Sequence, residues 1–429
     1  MNGAHLCTAV RAHTMHPSAL RIQDHTYDLP EERIARHPLA ERDASNLLVY
    51  RDGKVSDHRF RDLPSQLPGN SLLVLNDTRV VRARIPFRRA TGALLECMVL
   101  EPEAGRPIEQ ALLDKRTTRW WCMMGNAKRW KGEAVHAVRA DDGLVMTRIQ
   151  QREGEHLVEF GWNGPSTFAE ALERAGTVPL PPYMRREAMP EDPLRYNTVF
   201  ATNDGSIAAP TASLHFSDAL LATVQERGVR TSRCTLHVGA GTFLPVKSEH
   251  MADHVMHSEQ VRVALNTLTS WREQLGRGPI IPVGTTALRT IESVYWHGVM
   301  VLQGRAGEHM RIDQWEPYAH QEQDLPSPVE AISAVIEDVE KRGVPLVGRT
   351  ALLIAPGYPF RMADALITNF HQPGSTLLLL VAAFVGPAWR MIYGHALAHG
   401  YRFLSYGDGS LLFRQRGASP PGCYRGDQQ

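Results

Sequence analysis

Long apolar runs, paired cysteines, an excess of one charge and internal repeats are all missing from this 429-residue chain. Each absence removes a class of protein. The longest apolar run, Leu377 to Val385, falls far short of the roughly 20 residues that a membrane-spanning helix needs, so it reads as a buried helix and no membrane partner is expected. The five cysteines stand singly with no CxxC pair, which argues for reduced thiols in the cytoplasm rather than a disulfide framework. Lysine and arginine (47) nearly balance aspartate and glutamate (46), for a formal net charge of +1. A polyanionic partner must then be met by a local patch, not by a globally basic surface. The first two dozen residues carry His5, Arg11, His13 and His16 but no continuous apolar stretch. They argue against a secretory signal and for a flexible extension over 1–24.

What is present is a globular composition, 43% hydrophobic and 22% charged, long enough for two domains. A short helix (Glu31 to Arg36) and strands Leu47–Tyr50 and Leu72–Leu75 come first. From about Val80 to Trp162, short alternating segments are separated by Gly, Asp and Glu-rich turns, the pattern of a small all-β barrel. After Gly164 helices and strands alternate. A helix capped by Ser166 and another capped by Ser217 precede strands Cys234–Val238 and Pro279–Val283. Helices Ala287–Trp296 and Val329–Lys341, strand Ala351–Ile354, helices Thr376–Phe384 and Trp389–Ala398, and strand Phe403–Tyr406 follow. The expected fold is α/β: a large layered catalytic domain (25–80 and 163–415) interrupted by an inserted small β-barrel (81–162), with a flexible tail over 416–429.

Several constellations could carry chemistry. Gly239-Ala240-Gly241-Thr242-Phe243 follows a strand, but it lacks the third glycine of a dinucleotide loop and Pro245 blocks a following helix. It suits a tight turn that lets backbone approach a ligand. In Val283-Gly284-Thr285-Thr286-Ala287-Leu288-Arg289, Thr285 or Thr286 is expected to cap a helix whose positive end, with Arg289, suits a carboxylate or phosphate. The blander alternative is an ordinary capped helix with a surface ion pair. His250, His254 and His257 would share a face if helical and could bind zinc, yet the following residues look like a strand that would scatter them. His215, His237 and His371 sit beside polar turns, where acid–base roles or plain structural roles are both open. Arg119, Trp120, Lys128, Arg129, Trp130 and Lys131 interleave cations with indoles, as looped RNA requires, or else form solvated strand faces.

The order of these strings says more than any one of them. Leu75-Asn76-Asp77-Thr78-Arg79, Pro181-Pro182-Tyr183, Ala209-Pro210-Thr211-Ala212-Ser213-Leu214-His215-Phe216 and Thr235-Leu236-His237-Val238-Gly239 come first. His254-Val255-Met256-His257-Ser258-Glu259, Val283-Gly284-Thr285-Thr286, Ile367-Thr368-Asn369-Phe370-His371-Gln372-Pro373 and Ser405-Tyr406-Gly407-Asp408 follow. From about Tyr27 to Phe413 the series resembles the S-adenosylmethionine:tRNA ribosyltransferase-isomerase family of queuosine biosynthesis. The resemblance implies an α/β domain with an inserted β-barrel, S-adenosylmethionine as co-substrate, tRNA as partner, and no metal or prosthetic group. It also implies transfer and isomerisation of the ribosyl unit onto 7-aminomethyl-7-deazaguanine at the tRNA wobble position, giving epoxyqueuosine, adenine and methionine. A cytoplasmic monomer is expected.

On that footing His215, His237, His257 and Glu259 are the expected acid–base groups, with His371 in reserve. Thr285, Thr286 and Arg289 would hold the methionyl carboxylate. Asn76, Asp77, Arg79, Asn369 and Asp408 would hold ribose or base edges, and Pro210, Thr211, Ser213, Gly239, Gly241 and Thr242 would complete the substrate pocket. Two departures stand out: Asn46 where many members carry Arg, and Ser213 where Gly is usual before Leu-His-Phe. They raise a paralogue with a different acceptor as an alternative. A non-catalytic RNA-binding protein is another.

Overall fold

The computed structural model describes residues 16–139, 142–152, 154–243, 246 and 248–414. The large domain is built on two sheets. A six-stranded mixed sheet runs in the order Ile280–Pro282, Leu72–Asn76, Arg230–Leu236, Glu259–Val263, Leu346–Thr350 and Met310–Ile312. Its first three strands are parallel, and the fourth turns antiparallel. Parallel strands covered on both faces need continuous apolar sequence, and Leu72–Leu75 and Ile280–Ile281 supply it fully buried. The second sheet orders Ala365–Asn369, Gly409–Phe413, Asn46–Arg51 and Lys54–Arg59. Its hairpin between Asn46–Arg51 and Lys54–Arg59 turns at Asp52-Gly53, both at positive φ, as a two-residue hairpin loop demands.

The two sheets meet at the site. Val283 bridges Ile367, and the Gly284 N–H donates to the Ile367 carbonyl at 2.7 Å. Gly284 sits at φ 90°, a conformation open to glycine, and from it springs the buried helix Thr285–Leu302. Helix Pro328–Arg342 packs beside it, closed at its start by the reciprocal Ser327 and Glu330 cap and at its end by Gly343 in the left-handed region. The run Leu377 to Val385 lies in helix Thr376–Val385, and most of it joins the main hydrophobic core.

The inserted barrel closes in the order Glu155–Gly161, Thr117–Gly125, Leu94–Pro102, Arg84–Arg88, Val135–Ala137 and Val145–Arg152, every pairing antiparallel. It has its own core, including Ile85, Phe87, Val99, Trp120, Met146 and Phe160. Helix Phe168–Ala175 plugs one end, capped by Thr167 one residue later than expected.

Four local expectations fail. Residues 31–36 form only a 3-10 turn, Glu31–Arg33, because Pro30 and the extended Ile34 bound it. Ala351–Ile354 lies outside the strand ladders, and Phe403–Tyr406 makes only a bridge at Phe403 before it turns, with Leu404 at φ 70°. Residues 16–24 are not a loose extension. Ile22 donates its N–H to the Glu249 carbonyl at 3.1 Å, and the His16 ring packs 5.5 Å from Trp315. The earlier part of that extension and the tail from 415 lie outside the described residues.

Candidate active site

A cavity of about 370 Å³ opens where the two sheets meet. Its wall includes Pro210, Thr211, Gly241, His257, Glu259, Thr285, Thr286, Arg289, Asn369 and His371 from the expected set. A second cavity of about 200 Å³ lies between the large domain and the barrel, lined by His237 and Gly239 among others. Gly241, His257 and Glu259 border both. Gly241 has no side chain for a reason: a Cβ there would stand 2.0 Å from the His257 ring. Thr242 belongs to this turn, but its side chain lies outside the described residues.

The first cavity has an electrostatic floor. Gly284, not Thr285 or Thr286, is the N-cap of the Thr285–Leu302 helix, and it offers no side-chain cap. The unpaired first-turn N–H groups therefore keep their positive end at the cavity wall. One turn on, Arg289 is buried and ion-paired through Nη1 with Glu259, and its Nε donates to the Leu352 carbonyl at 3.2 Å. Its Nη2 is buried without a partner. Glu259 also accepts from the Gly239 N–H at 3.2 Å, so both its oxygens are engaged. His257 is exposed and makes no hydrogen bond among the described residues.

Asn369 faces the same cavity. Its Nδ2 donates to the Leu404 carbonyl and to His215 Nε2, each at 3.2 Å, while its Oδ1 is buried without a partner. His215 thus props the Asn369 amide. An amide N–H can only donate, so Nε2 accepts and Nδ1–H donates to Ser45 Oγ at 2.9 Å. Burial lowers the His215 pKa to about 4, and the ring lies against Phe60 outside the main cavity. His371 lines the cavity, and burial lowers its pKa to about 3; Nε2 meets Thr368 Oγ1 at 2.9 Å.

Several expected substrate ligands are instead spent on the fold. Asn76 is fully buried and stitches two strands through the Leu236 N–H and carbonyl, each at 3.0 Å; it also donates to Thr286 Oγ1. Asp77 accepts from Thr235 Oγ1 at 2.7 Å. Arg79 grips Asp204 on the surface. Asp408 is fully buried and accepts from Asn46 and Arg402, backbone and side chain alike. Asn46 thus braces Asp408, and Ser213 is a buried hydroxyl behind the wall; neither lines the main cavity. His237 belongs to the second cavity. It donates from Nε2 to Glu109 at 3.2 Å and meets Thr78 Oγ1 at 2.9 Å. Glu109 comes from the barrel insertion, and the His237 hydrogen bond, ahead of burial, holds its carboxyl below the usual range.

The basic, tryptophan-rich stretch does not form an exposed stacking platform. Trp120 and Trp130 are buried in the barrel core, donating to Thr118 Oγ1 and the Glu133 carbonyl. Arg119 pairs with Glu159 at 2.8 Å. Lys128 and Lys131 remain exposed, and the Arg129 side chain lies outside the described residues. His250, His254 and His257 do not share a helix; a 3-10 turn, Met251–Asp253, separates the first two. Residues the sequence left unassigned also line the main cavity: Tyr183, whose hydroxyl meets Ser405 Oγ and whose pKa burial raises to about 12, and the extended Leu352–Ile354. The Pro181-Pro182-Tyr183 string was the available signal for the first.

A family model described as queuosine biosynthesis protein matches residues 22–412. The S-adenosylmethionine:tRNA ribosyltransferase-isomerase of Anaeromyxobacter dehalogenans (strain 2CP-C) is 40% identical over 403 residues, covering 92% of this chain and 100% of its own. Its namesake from Roseobacter denitrificans is 40% identical over 409 residues, with the same coverage. The crystal structure of S-adenosylmethionine tRNA ribosyltransferase from Thermotoga maritima is 26% identical, with a TM-score of 0.45, and covers 91% of this chain and 100% of that one. The chain belongs to the S-adenosylmethionine:tRNA ribosyltransferase-isomerase family of queuosine biosynthesis.

Proposed function

We propose that this enzyme transfers and isomerises the ribosyl unit of S-adenosylmethionine onto 7-aminomethyl-7-deazaguanine of tRNA, and that S-adenosylmethionine occupies the 370 Å³ cavity. One observation carries the assignment of the site. Arg289 Nη2 and Asn369 Oδ1 are buried without partners in residues of one wall, beside the unengaged ring of His257. Buried polar atoms are normally satisfied by the protein, so unmet ones in a cavity wall await a ligand. The volume falls within the roughly 300–1,000 Å³ of small-molecule sites.

The chemistry assigns the ends. The methionyl carboxylate suits the positive end of the Thr285–Leu302 helix and the Arg289 guanidinium. The Asn369 oxygen is an acceptor suited to the exocyclic amine of adenine. The sulfonium acidifies the ribose 5′ carbon, and a base must take that proton. His257 is that base, because Glu259 is doubly engaged, His215 and His237 are held elsewhere, and His371 is buried with its Nε2 on Thr368. Adenine then leaves from C1′ with the bonding electrons and takes up a proton, the neutral aminomethyl nitrogen bonds to the rearranging ribosyl unit and gives one up, and methionine departs with the sulfur electron pair as a ribosyl oxygen closes the epoxide. The acceptor nucleotide arrives through the barrel-side cavity, which shares His257 with the first.

A tRNA substrate implies work in the cytoplasm, and three free, buried cysteines suit that compartment. The test is turnover with S-adenosylmethionine and tRNA bearing the deazaguanine precursor, read by nucleoside mass. Epoxyqueuosine with stoichiometric adenine is expected from wild type and is lost in His257→Ala. Unchanged turnover in that variant, with normal folding, overturns the assignment of the base. Adenine and methionine release without epoxyqueuosine overturns the acceptor.

A further inference from the structure

On the far edge of the four-stranded sheet, three potential metal ligands converge that take no part in either cavity. Asp57 lies on the exposed edge strand Lys54–Arg59, and His395 and His399 lie one turn apart at the end of helix Trp389–Ala398. One ligand atom from each falls within 4.8 Å of the other two. None of the three lines the main or the barrel-side cavity.

The hydrogen bonds fix which atoms are on offer. His399 Nδ1 lies 2.8 Å from the His395 carbonyl, which can only accept, so Nδ1 carries the proton and the neutral ring presents its Nε2 lone pair. A metal-binding imidazole is commonly oriented in this way, by a second-shell bond from its other nitrogen. The two imidazole rings are stacked, 3.8 Å between centroids and 14° between planes, so they lie side by side and one must swing out of the stack for both lone pairs to meet at one ion. His395 Nε2 lies 2.9 and 3.0 Å from the two Asp57 oxygens. Two ligand atoms each about 2.1 Å from one ion and about 90–100° apart are separated by roughly 3.0–3.2 Å. Such an ion sits beside the line from His395 to Asp57 rather than on it, so binding displaces the shared proton and turns the imidazole to aim its lone pair. Tyr401 braces the carboxylate from behind, donating to Asp57 Oδ1 at 2.6 Å. An ordinary surface ion pair would need only His395 and Asp57. The second imidazole, which also closes the helix end through its Nδ1 bond, supplies a third ligand atom.

We propose that Asp57, His395 and His399 form a surface site for a late first-row divalent cation, Zn²⁺ by preference, completed by water. Two imidazoles and one carboxylate favour such an ion over Mg²⁺ or Ca²⁺, which prefer all-oxygen sets. Since the ligands come from the edge strand and the terminal helix, binding ties the two together and stabilises the folded chain by mass action.

The test uses the full chain, stripped with a chelator, moved to chelator-free buffer and titrated with ZnCl2 by calorimetry, with melting followed in parallel. One tight equivalent and a raised Tm are expected, with Co²⁺ giving visible d–d bands from nitrogen ligation. His399→Ala and Asp57→Asn should each weaken binding at least tenfold while melting without metal and tRNA turnover stay near wild type. The neighbouring His58→Ala should leave binding unchanged. Absence of Zn²⁺ uptake by wild type, or wild-type affinity in the His395→Ala/His399→Ala double variant, overturns the proposal.

Discussion

The barrel and the large domain handle polar residues in opposite ways. In the barrel, apolar side chains point inward, and its arginines pair with carboxylates at the surface: Arg84 with Glu96, Arg89 with Glu133, Arg119 with Glu159. In the large domain, Asn76, Glu259, Arg289, Asn369 and Asp408 are all buried. Burying such groups costs energy unless each finds a partner. Asn76 and Asp408 find theirs within the protein, whereas Arg289 and Asn369 each keep one atom unmet. The contrast separates scaffold from site more sharply than residue type does. A polar residue in a motif is a ligand candidate only when its bonding capacity exceeds what the fold consumes.

The sharpest test of that contrast is His257→Ala. Loss of a positioned base should lower kcat about 10²–10⁴-fold, with the melting temperature unchanged because the ring is exposed and carries no hydrogen bond among the described residues. On the barrel side, Trp120→Ala should do the reverse. Emptying a buried indole site costs about 3–5 kcal/mol of stability, read by denaturant titration, while the folded fraction keeps its affinity for S-adenosylmethionine.

Acid should next expose the large domain's buried imidazoles. His215 and His371 have pKa values lowered to about 4 and about 3, below the 6.5 of an unfolded chain. Between those values the unfolded state binds more protons, so stability rises with pH there. Their contribution is complete above about pH 6.5 and is lost progressively as the pH falls toward 4. Melting across that window checks it; a flat profile would remove these histidines from the buried set. The smallest effect belongs to Lys128 and Lys131, the exposed remnant of the basic stretch. Replacing both with Ala should weaken tRNA binding only a few-fold and flatten its salt dependence by at most about two phosphate contacts.

Much of the architecture is legible in the sequence because periodicity is. The change from period two to alternating helices and strands falls where the barrel strands end, at Gly161. The same periodicity corrects the tryptophans. Thr118, Trp120 and Cys122 share the inward face of one strand, opposite Arg119 and the half-buried Trp121, so alternation alone assigns Trp120 to the core. Side-chain satisfaction is not legible. Nothing local distinguishes Asn76, which is consumed by Leu236, from Asn369, which is not. Glu109 could not be foreseen as a partner of His237, since 128 positions separate them. Ala351–Ile354 and Phe403–Tyr406 look like strands by composition. Their departure from the ladders comes where the chain bends around the cavity, which both segments line.

The pairing of Asn46–Arg51 with Gly409–Phe413 has a consequence for how the enzyme comes into being. Those two strands lie side by side and parallel, yet they are among the first and last elements described. During synthesis the earlier strand must wait for Gly409–Phe413 to emerge before it gains that neighbour. The Tyr183 hydroxyl and Ser405 Oγ, hydrogen-bonded in the cavity wall, come together under the same condition. The barrel, whose pairings are all made within 84–161, can close long before. A nascent chain would thus carry a finished barrel while its pocket is still absent, and competence for S-adenosylmethionine should arrive abruptly, only once Gly409–Phe413 has been made.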